Sequence, residues 1–404
     1  MNKAAKVAST MLSKNNLVFK NGKFLNSLLP ILRDELSKYL TTDLDESSAL
    51  LSQQRICKIF DYNVAGGKFA RSNLAMQTFT FLFTRCSSWI RVFKHSNSNR
   101  TPISIPHTRE FLPDLLVSPD SMALSPKSIT EEELITAGKV ALTIELLQTF
   151  YLIEDDIMDS SILRRGRPSW HSLPDIGLAA INDGLLLDCG INKIIQKEIP
   201  SHPRKNAILR EIATAKQKTV IGQMLDMNTT DLSEFTWSRY SSIVKHKTSH
   251  YSYLLPLNIG MHLADYTTPH QVQLRQIAYD LGYLFQAQDD YLDCFGDSSI
   301  TGKSNLVDLA EGKCTWVTCA LIEKLEKTNK SVELDNFKKN FSTKDENKLI
   351  IARNIIVEQG IEEDCLKFQK QKVSELHQDI MSYPIEPIRH VLELTLDEMT
   401  GRQK

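Results

Sequence analysis

Apolar residues recur at helical spacing over most of this chain. Between residues 24 and 40, Leu28, Leu29, Ile31, Leu32, Leu36 and Leu40 fall on one face of a 3.6-residue period, which predicts an amphipathic helix. The same periodicity predicts helices over 134–158, 178–198, 207–226, 236–263 and 270–295, and Pro200, Pro203 and Pro269 fall between them. Strand-like alternation is never sustained. The expected fold class is therefore all-α.

Two segments depart from the pattern. Residues 1–23 carry Lys3, Lys6, Lys14, Lys20 and Lys23, with no acid before Asp34, which reads as a basic tail or a transit peptide. Residues 84–128 hold Ser96-Asn97-Ser98-Asn99 followed by Pro102, Pro106, Pro113, Pro119 and Pro126, which reads as an irregular insertion. One domain is expected over 24–404. Composition narrows the class further. With 404 residues, 42% hydrophobic and 24% charged, the chain can bury a large core. Its net charge of -1 supplies no overall field for nucleic acid or an anionic membrane, so anion binding must be local. The 7 cysteines are scattered and odd in number, as expected of free thiols in a reducing compartment. No run approaches the roughly 18 apolar residues of a membrane span. A cytoplasmic location is expected, with a mitochondrial one as the alternative raised by the basic N-terminus.

The candidate chemistry lies in two acidic motifs, Asp155-Asp156-Ile157-Met158-Asp159 and Asp289-Asp290-Tyr291-Leu292-Asp293. On a helix the outer aspartates of each, four apart, stand on one face, where like charges repel unless a cation neutralises them. Oxygen ligands of this kind suit Mg²⁺, which takes one or two carboxylates and completes its shell with water and phosphate. Asp156 and Asp290 point about 100° away and are better placed to orient ligands. A solvated acidic face is the competing reading, but both motifs follow apolar runs, as buried helices do. Basic residues follow: Arg164-Arg165-Gly166-Arg167, Lys245, Lys247-Thr248, Thr301-Gly302-Lys303 and Lys313. Such groups grip a diphosphate. Gly66-Gly67-Lys68 with Arg71 suggests a second anion site.

The stretches LLQTFYLIEDDIMDSSILRRGRPSW (146–170), FQAQDDYLDCFGDSSITGK (285–303) and YNVAGGKFAR (62–71) resemble the two aspartate-rich regions and the first diphosphate-binding segment of eukaryotic farnesyl diphosphate synthases. That resemblance implies a helical barrel around one deep cavity, usually a homodimer, that condenses an allylic diphosphate with isopentenyl diphosphate. It implies three Mg²⁺, replaceable by Mn²⁺, held by Asp155, Asp159 and Asp289, with Asp156, Asp290 and Asp293 in support. Arg164, Lys247, Thr248, Gln286, Lys303 and Lys313 would hold the allylic diphosphate. Gly67, Lys68, Arg71, Gln148 and Arg165 would hold isopentenyl diphosphate. Phe150 and Tyr151, about one turn before Asp155, would floor the pocket near a C15 chain, with core packing as their other reading.

The chain departs from the family pattern at Ala70, where an asparagine is usual, and at Glu154, where a small residue is usual. The run from Ser304 to Gly312 also differs, and Thr400-Gly401-Arg402-Gln403-Lys404 lacks the usual basic cluster. Two further functions therefore stand beside chain elongation. One is a terpene synthase derived from this scaffold, and the other is a non-catalytic modulating subunit of a prenyltransferase.

Overall fold

The computed structural model describes residues 3–13, 22–96, 128–296 and 306–400, with side chains left aside over 85–96. Its organising element is α5 (Glu131–Met158), whose start is fixed by a capping box between Thr130 and Glu133. Residues 137–147 of α5 are buried all round, as a helix surrounded by others must be. Lys139, in that run, is neutralised by Glu35 at 2.7 Å and Glu198 at 3.2 Å. Around α5 pack α2 (Lys23–Leu40), α3 (Glu46–Asn63) and α6 (Ala179–Glu198), sharing one apolar core. Each fully buried leucine there, such as Leu28 or Leu32, contributes roughly 1.5–3 kcal/mol.

A second core joins α8 (Trp237–Val244), α10 (Gln271–Phe295) and α12 (Trp316–Lys327) with α14 (Glu346–Glu358), through Tyr240, Trp316, Leu321 and Ile356. A third joins α4 (Ala70–Ser96), α9 (Leu255–Leu263) and α10 to α15 (Ile361–Ser382) and α16 (Glu386–Thr400). Helix α7 (Lys205–Asn228), the short α11 (Val307–Glu311) and α13 (Ser331–Asn340) complete the set. Among the described residues the only strands are β1 (Leu163–Arg164) and β2 (Arg167–Pro168), an antiparallel pair pairing Leu163 with Pro168. The all-α expectation holds.

Three local expectations change. Residues 3–13 are not a free tail but helix α1 (Lys3–Ser13), because Ala4, Val7, Ala8 and Met11 form a small apolar stripe that seats against the first core. Residues 84–96 are not loop: they continue α4, since no proline interrupts them. The rest of the insertion, 97–127, lies outside the described residues. The helix expected over 236–263 is continuous but changes register, with a π-helical stretch (Lys245–Leu254) between α8 and α9. That stretch ends beside Pro256, which has no amide N–H to return to the preceding turn.

Two close approaches explain where the π stretch sits. A Cβ added to Gly222 on α7 would overlap the backbone of Lys247, and one added to Gly282 on α10 would overlap Ser249. The absence of side chains at these positions lets three helical backbones meet. Lys247 and Thr248 are thereby delivered between α7 and α10.

Candidate active site

The C-terminal end of α5, the end of α7, the π stretch and α10 enclose one cavity of about 1450 Å³. Asp155, Asp159, Asp226, Asp289 and Asp293 line it, with Arg164, Lys247 and Lys313. Acids and bases alternate along its wall. Arg164, carried on β1, donates to Asp156 at 2.9 Å and lies 3.6 Å from Asp155. Lys247 sits 3.5 Å from Asp155 and donates to Asp226 at 2.6 Å. Lys313 donates to Asp226 at 3.3 Å and to Asp159 at 3.1 Å. Gln223 donates to Asp155 at 3.0 Å.

Electrostatics follow from this alternation. Burial by itself would raise Asp155 and Asp226, but Lys247 and Lys313 outweigh it and hold both below the usual carboxylate range. Burial would likewise lower Lys247 and Lys313, yet the carboxylates around them keep both ammonium groups above their ordinary value. At Asp159 burial and the neighbouring Asp155 prevail, so its carboxyl is raised despite Lys313. Burial also pushes Glu311, 3.3 Å from Lys313, up to about 7.

The second motif divides its labour. Both Asp289 and Asp290 line the cavity, but Asp290 is 3% exposed and accepts hydrogen bonds from Tyr240 at 2.8 Å, Gln286 at 2.9 Å and the Trp316 amide at 2.8 Å. Burial, with help from Asp308, pushes Asp290 up to about 8. It anchors Gln286, which accepts from Thr248 at 2.8 Å. Asp293 accepts from the amides of Val307 and Asp308, fixing the start of α11 and so the approach of Lys313.

The cavity extends to a second basic group. Arg71 donates to Ser252 at 2.8 Å and to Tyr251 at 3.0 Å, with its guanidinium 4.7 Å from the Tyr251 ring centroid. Arg165 and Gln148 line the same space, and Arg165 is the nearest neighbour of Gly67, at 3.8 Å from its added Cβ. Phe69 and Arg165 both hold left-handed backbone, φ 52° and 56°, which is uncommon outside glycine and associated with binding sites.

Residues 108–353 match the sequence model of the polyprenyl synthetase family. The chain belongs to that family. Polyprenyl synthetases are trans-prenyltransferases, so the protein is an enzyme. It is 35% identical over 260 residues to the farnesyl pyrophosphate synthase of Mus musculus, covering 63% of this chain and 72% of the relative. It is 28% identical over 386 residues to farnesyl pyrophosphate synthase 1 of Cannabis sativa, covering 95% and 98%. A T. brucei farnesyl diphosphate synthase complexed with risedronate superimposes with a TM-score of 0.75 at 25% identity, covering 93% of this chain and 99% of that one. This polyprenyl synthetase thus shares the all-helical isoprenoid synthase fold.

The structure brings most of the expected residues to one cavity. Asp155, Asp159, Asp289, Asp290, Asp293, Arg164, Lys247, Thr248, Gln286 and Lys313 line it, as do Arg71, Gln148, Arg165, Phe150 and Tyr151. Asp156 faces Arg164 and a small neighbouring pocket instead. Lys68 is exposed, and neither it nor Gly67 lines the cavity; Lys303 lies outside the described residues. Sequence reasoning missed Asp226, Gln223 and Glu311. The signal for the first two was Gly222-Gln223 followed by an acid three residues later at the end of an apolar helix, a pattern with no second copy to draw attention to it.

Proposed function

We propose that this polyprenyl synthetase joins a short allylic diphosphate, dimethylallyl or geranyl, to isopentenyl diphosphate and releases farnesyl diphosphate. One observation carries the reading: a single cavity holds both the opposed carboxylates with their cations and the second basic group of Arg71 and Arg165. A terpene-forming enzyme needs only the first.

The donor set facing the cavity is carboxylate oxygen, which fits Mg²⁺. Among the described residues no three His, Cys, Asp or Glu side chains converge tightly enough to hold an ion unaided. Asp155, Asp159 and Asp289 would therefore share three Mg²⁺ with substrate phosphate oxygens and water. Bound there, the metal supplies Lewis-acid stabilisation to the departing diphosphate. Lys247, Lys313 and Arg164, already oriented by Asp226, Asp159 and Asp156, offer positive charge where negative charge grows as the allylic C–O bond breaks. Thr248, Gln286 and Lys303 complete the hold. Arg71, Arg165, Gln148 and the Gly67-Lys68 segment place isopentenyl diphosphate so that its double bond meets the allylic carbon. Phe150 and Tyr151 close the far end near a C15 chain.

The catalytic domain spans 24–404 in this reading, and two copies pair through the exposed apolar side chains of α6 and α7, among them Ile181, Leu185 and Ile221. No helix among the described residues is long and apolar enough to cross a membrane. The enzyme is placed in the cytoplasm in this reading, with a mitochondrial location as the alternative.

The test incubates protein and Mg²⁺ with geranyl or farnesyl diphosphate, with and without isopentenyl diphosphate, and identifies products by mass spectrometry before and after phosphatase. A C15 diphosphate formed from geranyl diphosphate only when isopentenyl diphosphate is present is the expected result. A hydrocarbon or alcohol formed from either allylic diphosphate alone would overturn it.

A further inference from the structure

Arg164 and Arg165 reach the cavity from a hairpin with a strained tip. Leu163 pairs with Pro168 and Arg164 with Arg167, which leaves Arg165 and Gly166 as a two-residue turn. Both have positive φ, 56° and 74°, the pair of conformations that such a turn favours and that asparagine or glycine adopts most easily. An arginine in the first position needs an outside hold. The two arginines do not share one. Arg164 donates to Asp156 at 2.9 Å, whereas Arg165 donates to the Asn63 carbonyl at the long distance of 3.4 Å.

The last carbonyls of a helix have no intrahelical N–H to accept from. Helix α3 ends at Asn63, and its Tyr62 and Asn63 carbonyls accept from Arg167 and Arg165 respectively, two cations on the negative end of one helix. Arg167 also lies over the Tyr62 ring, Cζ 4.3 Å from its centroid, and the Tyr62 hydroxyl donates to the Pro168 carbonyl at 2.7 Å. Trp170 packs against the same ring, centroids 5.1 Å apart, and donates to the buried Asp183 of α6 at 2.8 Å. Strand β2 is thus locked to α3 while Arg165 and Gly166 stay exposed. Arg167 does not line the cavity; Arg165 does, and a Cβ on Gly67 would lie 3.8 Å from both its Nη atoms. Burial lowers the Arg165 guanidinium from its ordinary value, and Arg164, Arg167 and Arg71 add to the effect against the pull of Glu145. A bound anion relieves that repulsion.

Resting on the chain-elongating reading above, we propose that Tyr62 and Arg167 are positioning residues for isopentenyl diphosphate: they occupy the end of α3 and so hold the Arg165 guanidinium forward, beside Gly67, where it meets the diphosphate. With the Arg167 guanidinium removed, the Tyr62 carbonyl is open to Arg165, which turns back onto the helix end and away from the cavity. Arg164 keeps its own anchor on Asp156, so the allylic diphosphate keeps its partner. Neither Tyr62 nor Arg167 touches substrate in this scheme.

The test uses the full chain in Mg²⁺. Three readouts are taken: Kd for the unreactive geranyl thiolodiphosphate, Kd for isopentenyl diphosphate on protein saturated with that analogue, and formation of the C15 diphosphate from geranyl diphosphate. Arg167→Met removes the guanidinium at similar length, and Tyr62→Phe removes the hydroxyl while keeping the ring. Arg167→Met should weaken isopentenyl diphosphate by about tenfold and Tyr62→Phe by about threefold, with the geranyl analogue within about twofold of the parent in both. A defect of folding would not respect that split. Because Arg167 works through Arg165, adding Arg167→Met to Arg165→Met should cost nothing more. The proposal is overturned if Arg167→Met leaves isopentenyl diphosphate at the parental Kd, weakens both ligands alike, or multiplies the loss caused by Arg165→Met. A parent that binds isopentenyl diphosphate without forming the C15 diphosphate overturns the reading of the reaction, and the Kd ratios still judge the two residues. A parent that binds no isopentenyl diphosphate overturns both.

Discussion

Lys313 illustrates how much single side chains carry in this site. Its amine bridges Asp159 and Asp226, two carboxylates on different helices, and Lys313→Met would leave Asp226 with Lys247 alone. The expected outcome is a fall in kcat of about a hundredfold, from lost stabilisation of the leaving diphosphate, with a smaller change in KM. Steady-state kinetics on geranyl diphosphate check it. His250 carries a different consequence. It is 4% exposed, bonded through Nδ1 to Tyr279 and surrounded by Lys218, Arg275 and His246. Burial, reinforced by those cations, lowers it from 6.5 to about 4. The unfolded chain therefore takes up a proton near pH 6.5 that the folded chain refuses until about pH 4. Stability is full above that window and falls as pH drops through it, by on the order of 3 kcal/mol from this group. His250→Phe should lose the effect, so its stability relative to the parent rises between pH 7 and pH 5. Denaturant melts at the two pH values would show a constant difference if the account is wrong.

Among elements, the π stretch is the one that tertiary packing dictates. Nothing in its residues distinguishes it from an α-helix, and periodicity predicts a single helix over 236–263; the change of register follows from contact with Gly222 and Gly282, which lie in other helices. Gly222→Ala should push the stretch off α7, displace Lys247 from Asp226 and lower kcat by about tenfold or more while costing roughly 1–3 kcal/mol of stability. A variant with parental kcat and melting would remove the argument. The long helices were legible because one apolar face repeated, and the aspartate motifs because their spacing doubled. Asp226 was not, being a lone acid whose meaning lies in two lysines 21 and 87 residues away. Helix α1 was hidden for a related reason: its buried face consists largely of alanines, which carry little hydrophobic signal, amid lysines that suggest a tail.

At the scale of the whole molecule, surfaces that one chain leaves uncovered become testable. If α6 and α7 pair with a second copy, Leu185→Glu at that face should give a monomer by sedimentation or light scattering, with a lower Tm. An unchanged dimer would place the interface elsewhere. Ala8→Arg, which forces a long side chain into the contact of α1 with the core, should cost roughly 1–3 kcal/mol in a thermal melt. No change would mean that α1 does not hold its seat in solution.

The backbone contacts at Gly222 and Gly282 also decide which parts of the site are free to travel. With no side chains between them to act as bearings, α7, the π stretch and α10 cannot slide independently, and they form the fixed jaw of the site. Arg164 and Arg165 ride instead on a two-residue hairpin, and Lys313 follows a five-residue helix. Each of these light pieces is held by side-chain ion pairs, Arg164 to Asp156 and Lys313 to Asp159 and Asp226, so charge keeps them in place where close backbone packing keeps the jaw.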